Sequence, residues 1–174
     1  LTKKGVIERD IESNIGKMPA SFDGYQVIRP DDLLMCLFDI DVTPRTVGYV
    51  NDIGIVSPAY TNLRSVNKSI DMSFYYYWYL MLDFDKRLLH LSKNVRNSIG
   101  IDDFGALECP LPPLKEQKDI AYYLKHKEIQ LEKLIKDIKK QLVLLKEYRQ
   151  SLIYEAVTGK IDVRDYPLER KEEA

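Results

Sequence analysis

Along the first hundred or so residues the apolar positions come in short runs broken by turns. "YQVI" (25–28) stands before Pro30 and reads as a strand, followed by a turn at "RPDD". "DLLMCLF" (32–38) is apolar almost without interruption, too continuous for a half-exposed strand, which predicts a central or fully buried one. "TVGYV" (46–50) and "IGIVS" (53–57) flank an Asn-Asp pair, a hairpin signal of moderate strength. "AYTNLRSV" (59–66) adds a further β-branched and aromatic strand. The pattern then changes. In "DMSFYYYWYLMLDFDKRLLHL" (71–91) apolar residues continue for several helical turns behind Asp71 and Ser73, both N-cap types, which predicts one helix or two short ones packed on the sheet. "NVRNSIGIDDFGAL" (94–107) reads as loop with a brief strand towards Glu108.

After Pro110, Pro112 and Pro113 the pattern changes again. Positions 114–158 contain neither Pro nor Gly, and Lys, Glu, Leu, Ile and Gln dominate. Leu124, Leu131, Ile138, Leu145 and Leu152 recur every seven residues, with Ile135 and Leu142 four residues after members of that set. Leu134, Tyr148 and Ile120 widen the stripe, while Lys133, Asp137, Lys140 and Glu147 fill the other faces. This is the pattern of a coiled-coil or bundle helix. Gly159 stands where a left-handed C-terminal cap is commonly placed.

The predicted fold class is therefore α+β: a small, mostly antiparallel β domain with a packed helix, followed by one long coiled-coil helix. The expected organisation is a compact domain over 1–113, the long helix over 114–160 and a frayed tail over 161–174. At ~1.5 Å per residue such a helix is a rod of roughly 65–70 Å, against a radius of gyration near ~13 Å for the preceding domain. Its stripe then needs a helix from another chain, or from another part of the same chain. Folding back as a hairpin is disfavoured, since no Gly, Pro or Asn lies inside the run to make the turn.

Composition narrows the chemistry. The net charge of −1 gives no general support for nucleic-acid binding, so any such function must rest on local clusters. No apolar run is long enough to cross a bilayer and no signal segment opens the chain, which implies a cytoplasmic protein with no membrane partner. Cys36 and Cys109 sit in apolar contexts and read as buried, reduced thiols. With only His90 and His126 and no Cys-x-x-Cys, no metal site is expected. Asp39 and Asp41 in "FDIDV" share a strand face, but no accompanying Lys, Glu or His completes a nuclease site. Neither a phosphate-cradling Gly-rich loop nor an Asn-Pro-Pro-aromatic tetrapeptide is present, so catalysis by this chain is disfavoured.

"PLPPLKEQKDIA" (110–121), a long charged helix, and "SLIYEAVTGKI" (151–161) resemble, in this order, the specificity subunits of type I restriction–modification systems. Glu116 and Gln117 supply that family's acidic-Gln opening of the helix. "LLMCLFDIDVTPRTVGYV", "GIVSPAYT" and "NVRNSIGIDDF" are similar to one subgroup of its target recognition domains. The resemblance implies a non-catalytic subunit that reads one half of a bipartite site on double-stranded DNA. It implies docking of methyltransferase and restriction subunits, which would carry S-adenosylmethionine, ATP and Mg²⁺; no cofactor is expected in this chain. With one recognition domain and one helix where a full subunit has two of each, the chain reads as a C-terminal half or a half-length homodimer. Leu1 in place of Met points to the former. The partner of the long helix would then be a second half or a second copy, through Leu124, Leu131, Ile135, Ile138, Leu142, Leu145 and Leu152. The competing reading is a coiled-coil interaction module that binds no DNA.

For DNA contact the candidates are polar residues on loops, with Arg and Lys suited to guanine or phosphate and Asn to adenine. They are Thr43 and Arg45 beside Pro44; Arg64, Asn67 and Lys68; and Lys93, Asn94, Arg96, Asn97 and Ser98, the densest patch. Ser57 and Tyr60 are weaker candidates. The rings of "YYYWY" (75–79) point around the whole helix, so several must be core.

Overall fold

A computed structural model describes residues 1–9, 21–93, 96–164 and 166. The tail therefore lies largely outside the described residues. The class is α+β, with small antiparallel sheets, packed helices and a long C-terminal helix. Strands β1 (Gln26–Ile28) and β4 (Gly54–Val56) form one antiparallel pair. Strands β2 (Leu33–Met35), β3 (Val47–Tyr49) and β5 (Thr61–Leu63) form a second sheet in the order β3-β2-β5, also antiparallel. As its unbroken apolar run predicts, β2 is central. Side chains alternate across a strand, and here both faces are covered. Leu33 and Met35 enter the larger core beneath α1 (Met72–Phe84), while Leu34 joins Ile28 and Val50 in a smaller one.

The expected hairpin between 46–50 and 53–57 does not form: β3 pairs with β2, and β4 pairs with β1. A tight two-residue turn of the type an Asn-Asp signal promises needs left-handed backbone at both central residues. Neither Asn51 nor Asp52 has positive φ. The chain instead passes from one sheet to the other, with the Val50 N–H donating to the Asp32 carbonyl at 3.0 Å. Gly48, on the β3 edge, admits the N-terminal segment: a Cβ there would lie 2.7 Å from Val6 Cγ2 and 3.2 Å from its backbone nitrogen.

Asp71 caps α1 by accepting the Phe74 N–H at 3.0 Å, and Phe74, Tyr75, Tyr79 and Leu80 are buried. A 3₁₀ turn, Arg87–Leu91, follows. The brief strand expected towards Glu108 is absent; α2 (Ile101–Gly105) precedes it, started by Asp102 and Asp103 in its first turn, where carboxylates favour a helix N-terminus. Cys36 is buried as expected, but Cys109 is exposed. Its place in the loop before Pro110 leaves the residue open while its thiol leans on the Tyr79 hydroxyl at 3.9 Å, where partial desolvation of the sulfur raises its pKa.

Helix α3 (Leu114–Val157) is uninterrupted over 44 residues, ~66 Å of rise. Its end is a Schellman cap: Gly159 has φ of 72°, its N–H donates to the Ala156 carbonyl, and Lys160 N–H donates to that of Glu155 at 2.8 Å. The compact division of the chain falls between Leu1–Leu124 and Lys125–Ala174, so the first turns of α3 belong to the first unit. Gln117 explains this. It is wholly buried, accepts the Asp71 N–H at 2.8 Å, and donates to the Ser69 and Pro112 carbonyls at 3.1 and 2.7 Å. Ala121 is also buried in the larger core. In the second unit Leu131, Ile135, Ile138, Leu142, Leu145 and Leu152 are all exposed, whereas Leu124 in the first is half-buried.

Candidate nucleic-acid interface

Two groups of the sequence candidates emerge. In the first, the segment carrying Arg96 runs alongside the start of the "DVTPRT" loop. Asp39 N–H donates to the Arg96 carbonyl at 3.0 Å, Ile40 N–H to that of Asn97 at 3.3 Å, and Ile99 N–H to that of Leu37 at 2.8 Å. Asp39 and Asn97 both take left-handed backbone to make this possible. The loop is pinned from the other side by buried Asp83, which accepts the Thr46 N–H and the Lys86 ammonium, each at 2.9 Å. Lys86 also donates to the Thr43 carbonyl at 2.9 Å.

Within this group the side chains differ in freedom. Thr43 is half-buried and its hydroxyl donates to the Phe38 carbonyl at 3.3 Å. Arg45 is half-buried and donates to the Tyr76 hydroxyl at 3.1 Å. Lys93 is exposed and pairs with Asp103 at 2.5 Å. Asn97 accepts from Ser92 Oγ at 3.4 Å, and Ser98 donates to the Arg96 carbonyl at 3.4 Å. Arg96 is exposed and its guanidinium makes no hydrogen bond or ion pair among the described residues. Asn94 lies outside the described residues.

The second group lines a cavity of about 480 Å³ between the β1–β2 turn, the segment after β5 and the start of α1, with Arg29, Tyr49, Arg64, Asn67, Lys68 and Asp71 among its walls. Lys68 is exposed, and Asn67 is held by an Asx turn, its Oδ1 accepting the Ser69 N–H at 2.9 Å. Arg64 is engaged. Its Nε and Nη2 donate to the two oxygens of Asp32 at 2.7 and 2.6 Å. Asp32 is 1% exposed and also accepts the Arg29 N–H at 2.8 Å and Asn62 Nδ2 at 3.1 Å. Beside it Tyr49 donates to Asp31 and accepts from Ser73; burial, then Asp31, push its hydroxyl up to about 12. Of the weaker candidates, Tyr60 packs on the smaller core, and Ser57 Oγ accepts the Ala59 N–H at 3.3 Å.

Asp32 and the anchoring role of Gln117 escape sequence reading. "RPDD" looks like a solvated turn, and only the β2–β5 pairing brings Asn62 and Arg64, same-face residues at alternate positions, onto Asp32. Burial alone would raise the Asp32 carboxyl, but hydrogen bonds from Arg64, Arg29 N–H and Asn62 outweigh it and hold its pKa below the ordinary 3.8. A carboxyl depressed in the fold adds stability above its unfolded pKa and loses it as pH falls through the folded one. The wild-type protein should therefore lose stability below about pH 4. Asp32→Asn should flatten that acid limb in urea titrations between pH 3 and 6; an unchanged limb would show that the pairing is not linked to folding.

This fold carries a loop-built polar face on a small sheet domain, followed by a long helix with an apolar stripe. The chain belongs to the family of type I restriction modification DNA specificity domains, whose model matches residues 38–143, more than half of the chain. It is also similar, at 25% identity and a TM-score of 0.60, to a chain in a structure described as the basis of complex assembly and conformational transition of the type I R-M system. The likeness covers 75% of the present chain and 31% of that one. No curated protein sequence matches. Among the described residues no helix is long and apolar enough to cross a membrane.

Proposed function

We propose that this chain reads one half of a bipartite DNA site for a type I restriction–modification enzyme. The observation that carries this reading is the extent of the family match, which runs through both candidate loop groups and on into α3. Chemically, Arg96 supports it: an exposed guanidinium on a segment fixed by its own backbone is suited to a base edge or a phosphate. On this reading α3 is the spacer. Its ~66 Å is one to two turns of B-DNA at ~34–36 Å each, so helix length sets the gap between half-sites. Methyltransferase subunits carrying S-adenosylmethionine, and restriction subunits using ATP and Mg²⁺, would dock on the assembled helices. Catalysis would reside in them.

Random-site selection with the assembled protein tests this. A short defined half-site should emerge, with affinity falling steeply as salt rises. Arg96→Ala should cost about 1–3 kcal/mol of binding. If that loss is confined to one base pair, Arg96 reads a base; if it is uniform and the salt slope falls by about one, Arg96 holds a phosphate. A protein that associates normally yet selects no sequence would instead be a coiled-coil interaction module, the reading that the net charge of −1 favours.

A further inference from the structure

We propose that Arg64 reads a guanine and that Asp32 is the positioning residue that presents it; this rests on the DNA-recognition reading above. A guanidinium has five N–H groups in a fixed fork. Asp32 takes the side-on pair, Nε–H and one Nη2–H, at 2.7 and 2.6 Å. What remains is the end of the fork, Nη1 and the outer Nη2–H, whose one hydrogen bond among the described residues is a marginal 3.5 Å to the Val27 carbonyl. That end edge matches the O6 and N7 acceptors of guanine. Although Asp32 is almost wholly buried, the Arg64 side chain keeps 44% of its surface open, on the wall of the cavity described above.

Two considerations favour a base over a phosphate. The carboxylate offsets the arginine's own charge, and across the cavity wall Asp31 and Asp71 balance Arg29 and Lys68, so Arg64 itself draws an anion only weakly. A neutral base edge is indifferent to that balance and depends on direction instead. Direction is what Asp32 supplies. Its four accepted hydrogen bonds, from Arg64 twice, Arg29 N–H and Asn62, fix the carboxylate, and the carboxylate fixes the fork. The loss of arginine rotamer freedom is then incurred on folding rather than on binding. Exposed Lys68 on the same wall is free of this constraint and suits the adjoining backbone.

The test is random-site selection and competition binding with the full-length protein and its methyltransferase subunits, for wild type, Arg64→Lys and Asp32→Asn. Lysine keeps the charge but not the fork; asparagine keeps the shape but not the full clamp. Both variants should relax the selected half-site at the same single guanine, with discrimination there falling roughly 10- to 100-fold. The other positions and the salt slope should be unchanged. Should Asp32→Asn fail to fold, Arg64→Lys, altered at a half-open side chain, decides alone. A merely structural ion pair would lower affinity evenly or not at all, so an Arg64→Lys site identical to wild type at every position overturns the proposal. A wild-type protein that selects no sequence overturns the DNA-recognition reading itself, and this proposal with it.

Discussion

Replacing Gln117 with alanine should lower the stability of the first unit by about 3–5 kcal/mol, a melting shift on the order of 10 °C or more. The side chain has no exposure and makes three hydrogen bonds, to the Asp71 N–H and to the Ser69 and Pro112 carbonyls. Alanine removes all three and leaves groups that have lost their partner, each costing about 1–3 kcal/mol where water cannot reach. The loss is large against the ~5–15 kcal/mol that holds a typical domain folded. It falls at a junction of three segments: the loop before α1, the α1 N-cap, and the prolines that start α3. Gln117→Glu makes the sharper test. It keeps an acceptor for the Asp71 N–H but turns a carboxylate towards two carbonyls.

The fold should hold that glutamate above its ordinary pKa of about 4.3. A group whose pKa is raised by folding binds more protons folded than unfolded, so Gln117→Glu should regain stability as pH falls. This is opposite in sign to the wild-type behaviour at Asp32. Thermal melts by circular dichroism at pH 7 and pH 5 check both variants. Melting equal to wild type for both would mean that the three hydrogen bonds contribute nothing net.

How far the molecule can be read from its sequence follows from where each signal is stored. The buried central strand, the capped aromatic helix and the long helix with its glycine stop are local patterns, and Leu33–Met35, Met72–Phe84 and Leu114–Val157 match them. Strand pairing is not local. The Asn51–Asp52 turn looked like a hairpin because a hairpin needs only neighbours, whereas the true partners of β3 and β4 lie earlier in the chain. The same limit applies to the site. Loop residues such as Arg96 can be nominated by type, but whether an arginine is free or clamped depends on an acid about thirty residues away, as Arg64 and Asp32 show. Gln117 carried a signal only through its place in a motif; its hydrogen bonds are to groups that no spacing rule reveals.

On the proposed reading of α3 as a spacer, with a second copy of the chain as its partner, the chain should self-associate at micromolar concentration, and substituting Leu131, Ile138 and Leu145 together with glutamate should abolish this while leaving the melting of the first unit unchanged. These residues are 57%, 54% and 64% exposed, on a helix that among its described residues buries only Gln117 and Ala121. A stripe of this length in water lacks the packing that stabilises most protein helices. Covering one leucine or isoleucine contributes about 1.5–3 kcal/mol, and in a two-fold pair every substitution counts twice. Because these side chains are already partly covered, three substitutions would remove roughly 5–11 kcal/mol of apolar burial even before the cost of enclosing carboxylates, against the ~8 kcal/mol that a micromolar complex requires. Glu147→Lys, on the polar side of the heptad pattern, should change little. Salt separates this association from DNA binding, because apolar burial resists screening while phosphate contacts do not. Sedimentation of wild type and triple variant at low and high salt gives the answer directly. A wild-type chain that stays monomeric would leave the other half of a full subunit as the partner of α3, and a triple variant that associates as the wild type does would remove the stripe from the interface.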